Sequence, residues 1–171
     1  MKIIKFCLIF IFSLICFATV AEEKKLENNN TEFSFYTGMF DFSDDGKRSN
    51  LVGIQHQNEE LNRDTLLGNL SPITGAMITG DNATYIYTGV QAQYKIGSLN
   101  FTPSFAPGYY LNGKGLKLGF PLEFRSSAEL SYRFKNFSRF GAMFYHLSNA
   151  SLGYKNPGTE CLVFFYGIPL Y

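Results

Sequence analysis

The chain has 171 residues and a formal net charge of +1, enough for one domain and too nearly neutral for a nucleic-acid partner, which would need a basic surface. Two of its three cysteines, Cys7 and Cys16, fall in an apolar N-terminal run, so Cys161 alone can build neither a disulfide framework nor a cysteine metal cluster. Eighteen Phe and eleven Tyr at a mean hydropathy of only −0.05 mean that apolar side chains are interleaved with polar ones, which excludes a bundle of membrane helices.

Residues 1–21 have the layout of a secretory signal peptide: a basic start MKIIK, an apolar run FCLIFIFSLICF, and small residues Thr19 and Ala21 before a cut. Ile15, where a lipoprotein signal would place a small residue before its cysteine, excludes that class of signal. Removing the segment takes away Lys2 and Lys5 and leaves a mature chain of charge −1. Residues 22–31, EEKKLENNNT, read as a short flexible periplasmic arm. From residue 32 to 171 the dominant period is two, and eight strands are expected near 32–42, 50–58, 68–79, 83–95, 99–111, 121–134, 139–150 and 160–171. The linkers between them are rich in Gly, Asn, Asp and Ser.

The strand near 121–134 shows the pattern best. Leu122, Phe124, Ala128, Leu130, Tyr132 and Phe134 share one parity, while Glu123, Arg125, Glu129 and Arg133 share the other. A soluble sandwich would bury the first set and a membrane barrel would bury the second, and alternation alone does not separate them. Export, strands of about ten residues (the length of a tilted membrane crossing) and an aromatic final residue together favour the membrane. The expected fold is therefore all-β, an eight-stranded antiparallel transmembrane β-barrel of the bacterial outer membrane, its interior filled by side chains and not open as a pore.

Strand counting gives an orientation. With both termini in the periplasm, the seventh strand starts there near Arg139 and reaches the outer leaflet near His146 and Ser148, after roughly 20–30 Å of climb. These two residues share parity with Phe140, Ala142 and Phe144, so they point to lipid if the Phe-bearing face does. A symmetric hairpin places Glu160 beside Ser148 and diagonal to His146. Ser hydroxyl, His base and an orienting carboxylate are the parts of an activated nucleophile, and Asn149 and Asn156 are candidate oxyanion donors. A His-x-Ser pair alone is weak evidence for catalysis, and Asn-Pro-Gly is an ordinary turn. His56 reads as a rim or lumen residue, and no acidic cluster suggests a metal site.

The segment HLSNASLGYKNPGTE resembles the signature of the outer-membrane lipid A 3-O-deacylases, the PagL type: His-x-Ser-Asn, then Asn-Pro-Gly, then a Glu twelve positions after the Ser. Here His146, Ser148, Asn149, Asn156-Pro157-Gly158 and Glu160 occupy those places, and the closely matching stretch is the last thirty or so residues. The resemblance implies an eight-stranded barrel, a serine esterase that removes the 3-position acyl chain of lipid A (lipopolysaccharide) without a cofactor. It implies Ser148 as nucleophile, His146 as base and Glu160 as orienting acid, with Asn149 and Asn156 as weaker assignments. Ser151 stands where a Gly is expected, and the sequence leaves a homodimer open. The rivals are a non-catalytic barrel used for adhesion, and a barrel acting on other lipids as a phospholipase or acyltransferase.

Overall fold

The computed structural model describes residues 31–44, 48–59 and 61–170; the signal-peptide segment, nearly all of the arm and Tyr171 lie outside the described residues. The eight expected strands are β1 (Glu32–Phe40), β2 (Ser49–Gln57), β4 (Gly68–Thr79), β5 (Thr84–Ala92), β7 (Leu99–Leu111), β8 (Leu122–Arg133), β9 (Arg139–Ser148) and β10 (Thr159–Pro169). Two three-residue strands add to them. β3 (Arg63–Thr65) folds back on the start of β4, and β6 (Tyr94–Ile96) pairs with the start of β7. The segment expected as one strand over 83–95 is therefore two pieces, interrupted at Gln93.

Every long strand runs antiparallel to both neighbours, and pairings β1–β2, β2–β4 and β1–β10 close the sheet into an eight-stranded barrel. Closure removes the unpaired edges that a sheet would expose to hydrocarbon. The side chains settle which face meets lipid. Phe35, Val52, Ile86, Leu130, Phe140 and Phe164 are each more than half exposed, whereas Arg125 and Arg139 are 1% exposed. This is the inverse of a soluble sandwich, so the ambiguity in the alternation resolves to a membrane barrel.

The interior is a polar network. Arg139 donates through Nε and Nη2 to both oxygens of Glu32, each at 2.8 Å, and through Nη1 to Glu129. The guanidinium of Arg125 lies 4.0 Å from the centre of the Tyr87 ring and donates to Gln55 Oε1 at 2.7 Å. Gln91 Nε2 donates to Gln57 Oε1 at 2.6 Å. These groups bridge strands far apart in sequence, so they tie the barrel across its width.

Candidate active site

β9 carries the inside-out pattern to its end. Arg139, Met143, Tyr145 and Leu147 are buried, while Phe140 and Phe144 are exposed and His146 and Ser148 are half-exposed on that same outer face. The strand stops at Ser148, two residues short of the expected limit at Ala150. Ala150 and Ser151 both adopt left-handed conformations (φ 51° and 66°), and Leu152 N donates to Asn149 O at 2.9 Å. Two consecutive left-handed residues make a tight reversal whose second position favours Gly, so Ser151 sits at a strained place, as its departure from the motif suggests.

The register differs from the expected one by two residues. Glu160 pairs with His146 itself, and Thr159 with Leu147. Gly158 (φ 68°) keeps the chain out of extended geometry until Thr159, whose hydroxyl is held by Asp41 Oδ1 at 2.8 Å. A shift of two preserves the faces, so Glu160 remains on the lipid side. Its carboxylate Oε1 lies 3.0 Å from His146 Nδ1. A carboxylate accepts, so this bond puts the ring proton on Nδ1 and leaves Nε2 as the proton acceptor.

The ring leans over Gly158. A Cβ at that glycine would stand 2.7 Å from His146 Cε1 and 3.2 Å from Nε2. Gly158 is two residues before Glu160 on the returning chain, so the Cε1–Nε2 edge of the ring lies toward Gly158, with Cε1 the nearer atom. No hydrogen bond joins Ser148 Oγ to the ring; such contacts are often loose in the free enzyme and close on substrate. A second hydroxyl also flanks the histidine, because Ser126 of β8 pairs directly with His146 on the opposite side from Glu160.

Sequence reasoning missed Ser43. Its hydroxyl donates to Glu160 Oε2, the oxygen not used by His146, and the neighbouring Phe42 N donates to Glu160 O at 2.7 Å. Nothing local marks Ser43, which lies 117 positions away in the chain and arrives only because β1 pairs with β10.

The two expected oxyanion donors separate. Asn149 is fully buried, pointing inward, and its amide Nδ2 donates to Leu118 O and Lys155 O, each at 2.9 Å. That amide holds two loops together. Asn156 is exposed, and its Oδ1 accepts from the backbone N of Asn149 at 3.1 Å, which turns its own amide nitrogen toward other partners. His56 lies on the outer face of β2 against the Phe33 ring at 4.8 Å, at the rim and not in the lumen. Among the described residues no group of three or more His, Cys, Asp or Glu is placed to hold a metal.

The family model described as lipid A 3-O-deacylase (PagL) matches residues 33–169. The crystal structure of the outer membrane enzyme PagL superposes with a TM-score of 0.62 at 19% identity, covering 81% of this chain and 99% of that one. The outer membrane protein Ail of Yersinia pestis gives a TM-score of 0.46 at 13% identity over 81% of this chain and 99% of its own. No curated protein sequence matches.

Proposed function

From the premise that this chain belongs to the lipid A 3-O-deacylase family, we propose that Ser148, His146 and Glu160 are the triad with which it hydrolyses the 3-position acyl ester of lipid A in the bacterial outer membrane. The observation that carries the assignment is the His146–Glu160 pair on the lipid face, at 3.0 Å, beside Ser148. Polar and ionisable groups are costly where hydrocarbon begins and are kept there for function. An enzyme whose substrate is a lipid needs its reacting atoms on that face.

In this mechanism His146 Nε2 takes the proton of Ser148 Oγ, which attacks the acyl carbonyl carbon. The tetrahedral oxyanion receives hydrogen bonds from the Asn156 amide and from backbone N–H groups at the left-handed turn. Collapse breaks the ester bond; His146 returns its proton to the sugar oxygen, releasing the 3-hydroxyl and leaving an acyl-enzyme. Water, deprotonated by His146, then frees the fatty acid. All three residues come from one hairpin, so the chemistry needs no second subunit. Mass spectrometry of lipid A from expressing cells should show loss of one hydroxyacyl chain. Unchanged lipid A with cleaved phospholipid would point to a phospholipase, and no change in either to a non-catalytic barrel.

Two variants probe the positioning of the base. Gly158→Ala forces a methyl group against the imidazole, and a displacement of about 1 Å at a catalytic group costs on the order of 100-fold in rate. A kcat within a few-fold of wild type would mean that the observed ring position is irrelevant. Ser43→Ala removes one of the hydrogen bonds that fix Glu160, and a charge-assisted bond lost at the orienting acid should lower kcat about tenfold with KM unchanged. Ser43→Thr, which keeps the hydroxyl, should restore most of the rate.

A further inference from the structure

The loops over 112–121 and 149–158 meet beyond the outer end of β9 and enclose a cleft of about 210 Å³, lined by Asn112, Lys117, Gly119 and Pro121 on one side and Tyr154 on the other. The loops are fixed to one another. Asn149 Nδ2 bonds the carbonyls of both Leu118 and Lys155, and a Cβ at Gly153 would stand 2.7 Å from Gly119 O, so the two backbones touch. The cleft is thus a built feature and not a gap between loose segments.

Its charge is one-sided. Lys117 lines it, and Lys155 Nζ lies 5.8 Å from the centre of the Tyr154 ring that forms the facing wall. Neither ammonium makes an ion pair among the described residues, and Tyr154 is 81% exposed. Unpaired cations beside an open aromatic face and an amide suit a phosphorylated sugar better than an acyl chain.

Position decides between a general anion site and a substrate site. Phe124 pairs with Ser148, and Pro121 lies three residues further out along the same chain, about 10 Å at the rise of a strand. The cleft therefore stands above Ser148 at the outer end of the barrel, at the height reached by a sugar a few bonds from an ester at Ser148 Oγ.

We propose that this cleft binds the phosphorylated amino-sugar headgroup of the substrate, with Lys117 meeting a phosphate; the proposal rests on the lipid A reading above. The test uses the full chain carrying Ser148→Ala, so that substrate binds without turnover. It is titrated in zwitterionic micelles with bisphosphorylated lipid A and with the same lipid after phosphatase treatment. Adding Lys117→Ala should weaken binding of the phosphorylated lipid about tenfold and leave the dephosphorylated lipid within about twofold. Lys117→Arg should retain binding of both. Equal affinity for the two lipids, or equal weakening of both by Lys117→Ala, overturns the proposal. Turnover by the wild type is a separate arm: failure to release a hydroxyacyl chain sinks the lipid A reading, while the titrations still decide whether the cleft reads phosphate.

Discussion

Ser148→Ala should lower the rate of acyl-ester cleavage by about 10,000-fold or more while the barrel folds as before, because removing a nucleophile leaves only binding and oxyanion stabilisation to speed the reaction. The geometry sharpens this into a comparison of two serines. Ser126 pairs directly with His146, and Ser148 is two residues further along the same strand. Proximity alone favours Ser126. The imidazole, however, leans toward Gly158, on the β10 side and toward the level of Ser148, which carries Nε2 away from β8. Ser126→Ala is therefore expected to stay within about twofold of wild type, small beside the loss expected for a nucleophile. The pair of variants is measured with purified protein on a micellar ester, with circular dichroism to show that each remains a barrel. A dead Ser126→Ala and an active Ser148→Ala would reverse the assignment.

The largest stability effect is expected at the other end of the same strand. Arg139→Leu removes the cation that satisfies Glu32 and Glu129, both almost wholly buried in the barrel interior. Breaking a buried pair costs about 3–5 kcal/mol, because the remaining charge has lost its partner but not its desolvation. Here two carboxylates lose their ion-pair partner while Ser34 and Ser131 still donate to them and Arg133 remains a nearby cation, so the lower part of that range is the expectation. Urea unfolding from micelles reads it directly. Adding Glu32→Gln and Glu129→Gln to Arg139→Leu should recover much of the loss, since it is the uncompensated charge and not the missing bond that costs most. A single variant within about 1 kcal/mol of wild type would contradict this network. Arg139 lies seven residues, about 23 Å, from His146, so the fraction that stays folded should keep its activity.

The hairpin that carries both effects was legible in different measure. Its strands, and the sharing of one face by His146 and Ser148 with Phe140 and Phe144, follow from a period-two pattern that any extended backbone imposes on its own side chains. The local motif also marked Ser151 as a misfit, and the left-handed turn bears this out. The register did not follow, because it depends on where Gly158 lets the returning chain become extended. Asn149 stands beside Ser148 in the motif, and the same alternation that turns Ser148 outward turns Asn149 in, where it ties two loops together.

What the sequence determined by itself was therefore everything with a range of a few residues: strand positions, one apolar and one polar face per strand, and His146 and Ser148 on the Phe-bearing face. What only the tertiary structure decided was everything that depends on closing the ring. Closure makes the apolar face the outside, brings Ser43 to Glu160, seats Arg139 between carboxylates from β1 and β8, and sets the loop of Lys117 against that of Lys155. The reason is physical: side-chain alternation is fixed by the backbone of one strand, whereas these contacts are fixed by which strands share hydrogen bonds, and in a barrel the first strand and the last are neighbours.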